Sequence, residues 1–166
     1  SYVLRKMDYV LSMSQSMTKQ LKKQNVKKIK EIGNFIDEES IDNERVDNKH
    51  KSSGNKRFVF VGSLTLRKKV DLIIKSVFEL KSKGVLIYVD IVGDGELRKD
   101  LEQTVQKLDL CVLIKFHGHH PKPYSILQKA DFFILPSLAE GVSRASLEAL
   151  FFGVPCILRN VDANSE

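Results

Sequence analysis

The sequence has no uninterrupted apolar run of about 18 residues, which excludes an ordinary membrane-spanning helix. No charged stretch followed by an apolar core opens it, so nothing at its start reads as a secretory leader. The chain begins Ser1-Tyr2-Val3 rather than with Met, and its natural start is expected to lie upstream. Cysteine is scarce: Cys111 and Cys156 each sit in an apolar stretch that reads as a strand. Both are expected to be small core residues rather than a disulfide or metal pair, which fits a reducing compartment without demanding one. No His/Cys spacing suggests zinc, and no metal is expected. Two common nucleotide-binding patterns are missing as well. Gly93-Asp94-Gly95 lacks the third glycine of G-x-G-x-x-G and follows the second regular strand, not the first, and no P-loop occurs. There is no internal repeat and no low-complexity tract.

At 166 residues the chain suffices for one α/β domain with a sizeable core but not for two complete domains. Its formal net charge of +6 is lopsided. The first 36 residues hold eight Lys/Arg against two Asp/Glu, while the remainder holds 19 of each. Lys19, Lys22, Lys23, Lys27, Lys28 and Lys30 make up most of that excess. Three readings stand open for them: attraction to anionic phospholipid head groups, contact with nucleic acid, or the solvated face of a surface helix.

Residues 8–12 read as a short strand, and Ser14 or Ser16 as the cap of a helix through Met17 and Leu21. Residues 26–32 read as a second strand and 33–37 as a turn. Residues 37–56 are acidic, then basic, with few apolar groups, the composition of a linker or surface loop. From Arg57 the pattern becomes regular. Strands are expected at 58–62, 85–92, 111–116, 132–135 and 154–158, with helices at 68–82, 96–108, 124–129 and 143–152. This alternation predicts an α/β fold: a doubly wound, Rossmann-like parallel sheet covered on both faces.

In such sheets ligands bind beyond the carboxyl ends of the strands. Glycine and polar residues gather there: Gly62-Ser63, Gly93-Asp94-Gly95, Gly118-His119-His120, and residues 136–141. Two clusters suit a phosphate. Gly141-Val142-Ser143 leads into a helix whose free N–H groups and dipole favour an anion, and Gly141 permits close approach to the backbone. Arg67-Lys68-Lys69 supplies positive charge, the competing reading being a solvated helix start. Glu140 and Glu148, separated by seven residues, fall in a loop and about one turn inside the following helix. Carboxylates there suit neighbouring sugar hydroxyls. The competing reading for Glu148 is an i,i+4 ion pair with Arg144 on a helix surface. His117, His119 and His120 read either as loop positions near a base or as plain surface histidines, and His50 as an idle linker residue.

Together these motifs resemble a known family. Leu135-Pro136-Ser137, the Glu140-to-Glu148 segment and the run from Ala149 to Pro155 are similar to the donor-site signature of the retaining GT-B glycosyltransferases. That family includes sucrose synthases and many bacterial polysaccharide enzymes. Phe60-Val61-Gly62-Ser63-Leu64 with Lys68 resembles its phosphate-binding loop. The run from Ile91 to Arg98, Phe116-His117-Gly118, and Asn34-Phe35-Ile36-Asp37 match further landmarks in order. The likeness spans nearly the whole chain, and the segment between the two glutamates is most similar to enzymes of O-antigen and capsule assembly.

The resemblance implies the C-terminal half of a GT-B fold: residues 1–36 the tail of the acceptor-binding domain, 37–56 a linker, and 57–166 a truncated donor domain. It implies retaining transfer from a nucleotide-diphosphate sugar, most often a UDP-sugar, to a glycan or lipid-linked acceptor in cell-surface polysaccharide synthesis. Lys68 and Glu140 are its catalytic candidates, Lys68 neutralising the diphosphate and Glu140 contacting the sugar. Glu148 would hold the ribose, the amides of Gly141 and Val142 and the Ser143 hydroxyl the phosphate or sugar oxygens, and backbone around Gly118 and His119 the base. Gly62, Ser63, Arg67, Gly93 and Arg144 complete the donor-binding set. No cofactor and no metal are implied. The location implied is cytoplasmic, peripheral on the inner face of the membrane through the basic segment 19–30, without nucleic acid. Three departures stand out. Ser63 replaces an Arg of many members, a load that Arg67 or Arg144 is expected to share. Asp162-Ala163-Asn164 replaces a glycine pair before Glu166. Most of the acceptor domain, with its usual catalytic His, is absent. The competing readings are a dehydrogenase, a nucleotide-sugar epimerase, and a non-catalytic donor-binding subunit.

Overall fold

The computed structural model describes residues 2–45 and 54–161. His50, most of the basic part of the expected linker, and the Asp162-to-Glu166 departure lie outside the described residues. A short helix α1 (Tyr2–Lys6) opens the chain, which the sequence reading did not expect. β1 (Val10–Ser12) and β2 (Ile29–Glu31) form a parallel pair joined through α2 (Gln15–Lys23). Ser14, not Ser16, caps α2 by accepting from the Met17 amide at 3.2 Å.

A five-stranded sheet dominates the rest. Its strands are β3 (Arg57–Val61), β4 (Tyr88–Val92), β5 (Ile114–Gly118), β6 (Phe132–Leu135) and β7 (Cys156–Leu158). All neighbours pair in parallel, in the order β5-β4-β3-β6-β7. The chain thus steps outward from β3 to β5, then crosses back to build β6 and β7 on the other side. With right-handed crossovers, α4 (Val70–Ser82) and α5 (Arg98–Lys107) fall on one face. α6 (Tyr124–Leu127) and α7 (Arg144–Phe151) fall on the other. That is why β3 reads as one apolar run: Val59 and Phe60, on opposite faces, are both fully buried. Ile73, Ile74 and Val77 of α4 meet the sheet from one side, and Leu127 and Ala149 belong to the same core.

The strand ends interlock closely. The Gly62 amide donates to Val92 O at 2.9 Å, and the Gly93 amide to Gly118 O at 2.7 Å. Gly93 has φ 142°, and a Cβ there would lie 1.8 Å from Gly62 O, so only glycine lets these loops approach.

Three expectations are corrected. The stretch read as a linker contains a docked helix, α3 (Glu38–Asp42). Asp37 caps it, accepting from the Ser40 amide at 3.1 Å, and Ile41 enters the core with 1% exposure. Arg45 then lies 5.0 Å over the Phe151 ring, and Gln128 donates to Glu44 O at 2.8 Å. One isoleucine among acidic residues carries no periodic signal, so composition alone hid this contact. Cys111 is exposed rather than in the core, because β5 starts later than expected. Leu110 and Leu113 turn inward and leave Cys111 and Val112 outside. Cys156 is half-buried on β7, and burial pushes its thiol up to about 11. Finally, His117 belongs to a strand and not to a loop. It is the extra residue where the β4–β5 register shifts, since Ile91 pairs with Phe116 but Val92 with Gly118.

Ile41→Ala should destabilise the protein by about 2–5 kcal/mol in urea unfolding, as a buried isoleucine does. A loss under about 0.5 kcal/mol would mean that residues 38–42 are a solvated linker after all.

Candidate functional site

The strand order reverses between β3 and β6, and in open α/β sheets that switch point forms a crevice at the carboxyl ends. The loops after these two strands are stitched together there. The Leu138 amide donates to Arg67 O at 2.8 Å, and the Arg67 guanidinium donates to Ala139 O at 2.6 Å. Between them lies the Lys68–Glu140 pair, with Nζ donating to Oε1 at 2.6 Å. Arg67 comes within 3.3 Å of the same oxygen.

Local backbone geometry delivers Lys68 to this place. Leu66–Lys68 is a single 3-10 turn, and Lys69 then adopts φ 54°, ψ 41° before α4 begins. A left-handed lysine costs about 1 kcal/mol, a strain that typically marks a constrained site. The reading of Arg67-Lys68-Lys69 as a solvated helix start fails for Lys68, which is only 9% exposed. Arg67 remains half-exposed. Two cations around one carboxylate leave a net positive charge in the crevice.

α7 starts at the same place. Ser143 caps it, its Oγ accepting from the Ser146 amide at 3.3 Å, so its own proton stays available. A Cβ on Gly141 would meet nothing within 4 Å, so packing within the chain does not account for this glycine. The Val142 carbonyl accepts from Asn34 Nδ2 at 2.8 Å, tying this loop to the N-terminal segment. Glu148 makes the expected i,i+4 pair with Arg144, but not on the helix surface expected for that pair. It accepts from Arg144 Nε at 3.1 Å, yet it is 6% exposed rather than on a solvated surface. Burial raises its pKa, and the Arg144 guanidinium offsets only part of that rise. Arg67 therefore stands beside Lys68, whereas Arg144 is engaged with Glu148.

Ser63 is exposed beyond β3, and Gly62, Gly93 and Gly118 lie together at the interlocked strand ends. His119 is exposed just past Gly118. The sequence reading missed the cluster beside them. Arg98 donates to Asp94 at 2.8 Å and to Glu102 at 2.9 Å, and its guanidinium fills the space where a Gly118 side chain would project. The Gly95 amide, then Arg98, hold the Asp94 carboxyl below its usual range. The i,i+4 spacing of Asp94, Arg98 and Glu102 was the available signal. Also missed was the wall opposite Glu140. A cavity of about 370 Å³ has Ser14, Ser16, Met17 and Gln20 on one side and Arg67, Ala139, Glu140 and Gly141 on the other. Among the described residues no group of His, Cys, Asp and Glu is placed to hold a metal.

Comparison with known proteins bears on this arrangement. The family model for glycosyl transferases group 1 matches residues 42–166. An Escherichia coli UDP-Gal:alpha-D-GlcNAc-diphosphoundecaprenol alpha-1,3-galactosyltransferase is 42% identical over 76 residues, covering 45% of this chain and 20% of that enzyme. The solved structure of Anabaena Alr3699/HepE with UDP-glucose superposes with a TM-score of 0.80 at 18% identity, over 99% of this chain and 48% of that one. S. aureus TarM, solved with UDP, superposes at 0.79 and 18% identity, over 96% of this chain and 32% of that one. The chain thus spans a fifth to a half of the length of these relatives, and the structural likeness fixes the fold as that of GT-B glycosyltransferases.

The environment of Glu148 sets a pH dependence. A carboxyl whose pKa is raised by folding above its ordinary 4.5 holds its proton more tightly in the folded chain. Its ionised form therefore costs stability above the folded pKa, and the cost vanishes as pH falls below 4.5. Glu148→Gln should raise the unfolding midpoint at neutral pH, with the gain disappearing in that acid range. A lower midpoint at neutral pH would show that the Arg144 pair outweighs the burial.

Proposed function

Because the chain belongs to the glycosyl transferases group 1 family, we propose that it is the donor-binding part of a retaining glycosyltransferase using a nucleotide-diphosphate sugar. The observation that carries this reading is the Lys68–Glu140–Arg67 cluster at the sheet's switch point, beside the start of α7. Net positive charge, free helix amides and an open backbone at Gly141 suit a diphosphate. Lys68 neutralises the departing diphosphate. Glu140 holds Lys68 in place and meets the donor sugar, the Ser143 hydroxyl donates to a phosphate or sugar oxygen, and Glu148 accepts from the ribose hydroxyls. Arg67 takes the part left open by Ser63. The base lies against backbone at Gly118 and His119, with uridine the first choice.

In the reaction the bond from the anomeric carbon to the phosphate oxygen breaks, and its electron pair leaves with the diphosphate. The acceptor hydroxyl forms the new bond on the same face and gives its proton to that departing oxygen. Lys68, Arg67 and the α7 amides act by stabilising charge that grows on the leaving group. No metal enters this scheme.

Residues 1–36 are the tail of the acceptor-binding domain, and 57–166 belong to the donor domain, with α3 moving along with it. The cavity between α2 and Glu140 is then the cleft where sugar meets acceptor. Residues 1–166 alone transfer no sugar in this reading, because closure of two whole domains completes the site. The acceptor is a glycan or lipid-linked saccharide of the cell surface, as the name of the E. coli relative suggests. The six lysines of segment 19–30 are all exposed, which suits a peripheral position on the cytoplasmic face of a membrane.

Calorimetric titration of the full-length protein with UDP, GDP, ADP and NAD tests the site. One diphosphate should bind, and Lys68→Ala and Glu148→Ala should each weaken it about 10- to 100-fold, the worth of a charged hydrogen bond. Folded protein that binds none of the four, or variants that bind like the unmodified chain, would remove the donor reading.

A further inference from the structure

A second cavity, also of about 370 Å³, shares no residue with the one beside Glu140. It lies over β4 and β5 at the edge of the sheet, on the face bearing Arg57, Asp90, Lys115 and His117. The winding of the chain explains why this face stays open. α4 and α5 cover the opposite face of these strands, and from this side the short α6 region contributes only Ile126 and Lys129.

Asp90 sits in the middle of β4 and is almost fully buried. A carboxylate there must be paired, and both of its oxygens are. Oδ2 accepts from Arg57 Nη1 at 2.7 Å, and Oδ1 lies 2.6 Å from His117 Nε2. The other guanidinium nitrogens of Arg57 make no hydrogen bond among the described residues, and its guanidinium lies 5.6 Å over the Tyr88 ring. The nearby Asp131 is occupied by Lys56 and by the Arg57 amide. Lys115 and Lys129 have no carboxylate partner among the described residues. Among the described residues three cations therefore line this cavity against one carboxylate, an excess of two positive charges.

Unneutralised cations around a concave wall favour an anion of matching charge, and a guanidinium fixed at one corner presents a fork suited to tetrahedral oxyanions. We propose that this cavity binds a phosphoryl dianion, with Arg57, Lys115 and Lys129 as its contacts and Asp90 as the residue that positions Arg57. It is a site separate from the donor crevice. His117 shares Asp90 with Arg57 and is therefore a built-in reporter of occupancy.

The test is titration of the full-length protein with inorganic phosphate, followed by the NMR signals of the His117 imidazole. The signals should move in the unmodified protein and equally in Lys68→Ala, which disables the donor crevice. The double substitution K115E/K129E, at two exposed positions, should weaken the response at least about tenfold while leaving the unfolding midpoint unchanged. Signals that do not move, that move equally in the double variant, or that stop moving only in Lys68→Ala would overturn the site. Co-sedimentation with phosphatidate against phosphatidylcholine vesicles identifies the source. Binding to phosphatidate alone, lost in the double variant, assigns the phosphoryl group to a lipid headgroup. A response to free phosphate without vesicle binding assigns it to a soluble ester.

Discussion

Lys68 and Glu140 stand 72 residues apart in the chain and meet at 2.6 Å because the winding of the sheet reverses between β3 and β6. Two largely buried charges are costly to bring out of water, and each is tolerable only with the other in place. Around that pair the two crossing loops are bound by backbone and by Arg67, and the start of α7 is held beside them. The geometry of the candidate site, the cavity toward α2 and the placement of Glu148 all follow from this junction.

Strain and unmet polarity concentrate near the same junction. Lys69 is left-handed, the Glu148 carboxyl is buried with its pKa raised, and Ser137 Oγ is buried with no hydrogen-bond partner among the described residues. These features work against stability and persist where the surrounding packing over-determines them. They lie in the loops after β3 and β6 and in α7.

Much of this was legible in the residues. β6 falls on the predicted 132–135, because four apolar residues end at a proline. The buried run at β3 and the glycines at the strand ends gave the parallel sheet and its carboxyl edge. What escaped notice depended on contacts distant in sequence. Ile41 docks through shape, with no periodicity around it. His117 looked like a loop residue because a register shift cannot be seen in a single strand. The choice between Arg67 and Arg144 as partner of Lys68 needed the crossing of two loops. The Arg144 pair of Glu148 was legible from the i,i+4 spacing, whereas its burial was not, because it depends on the packing of α7.

The most direct test of the account is a structure of the full-length protein with a bound nucleoside diphosphate. The account predicts diphosphate oxygens within hydrogen-bond distance of Lys68 Nζ and of the Gly141 and Val142 amides, with the ribose at Glu148. A diphosphate bound elsewhere on the molecule, with the Lys68–Glu140 crevice empty, would contradict it.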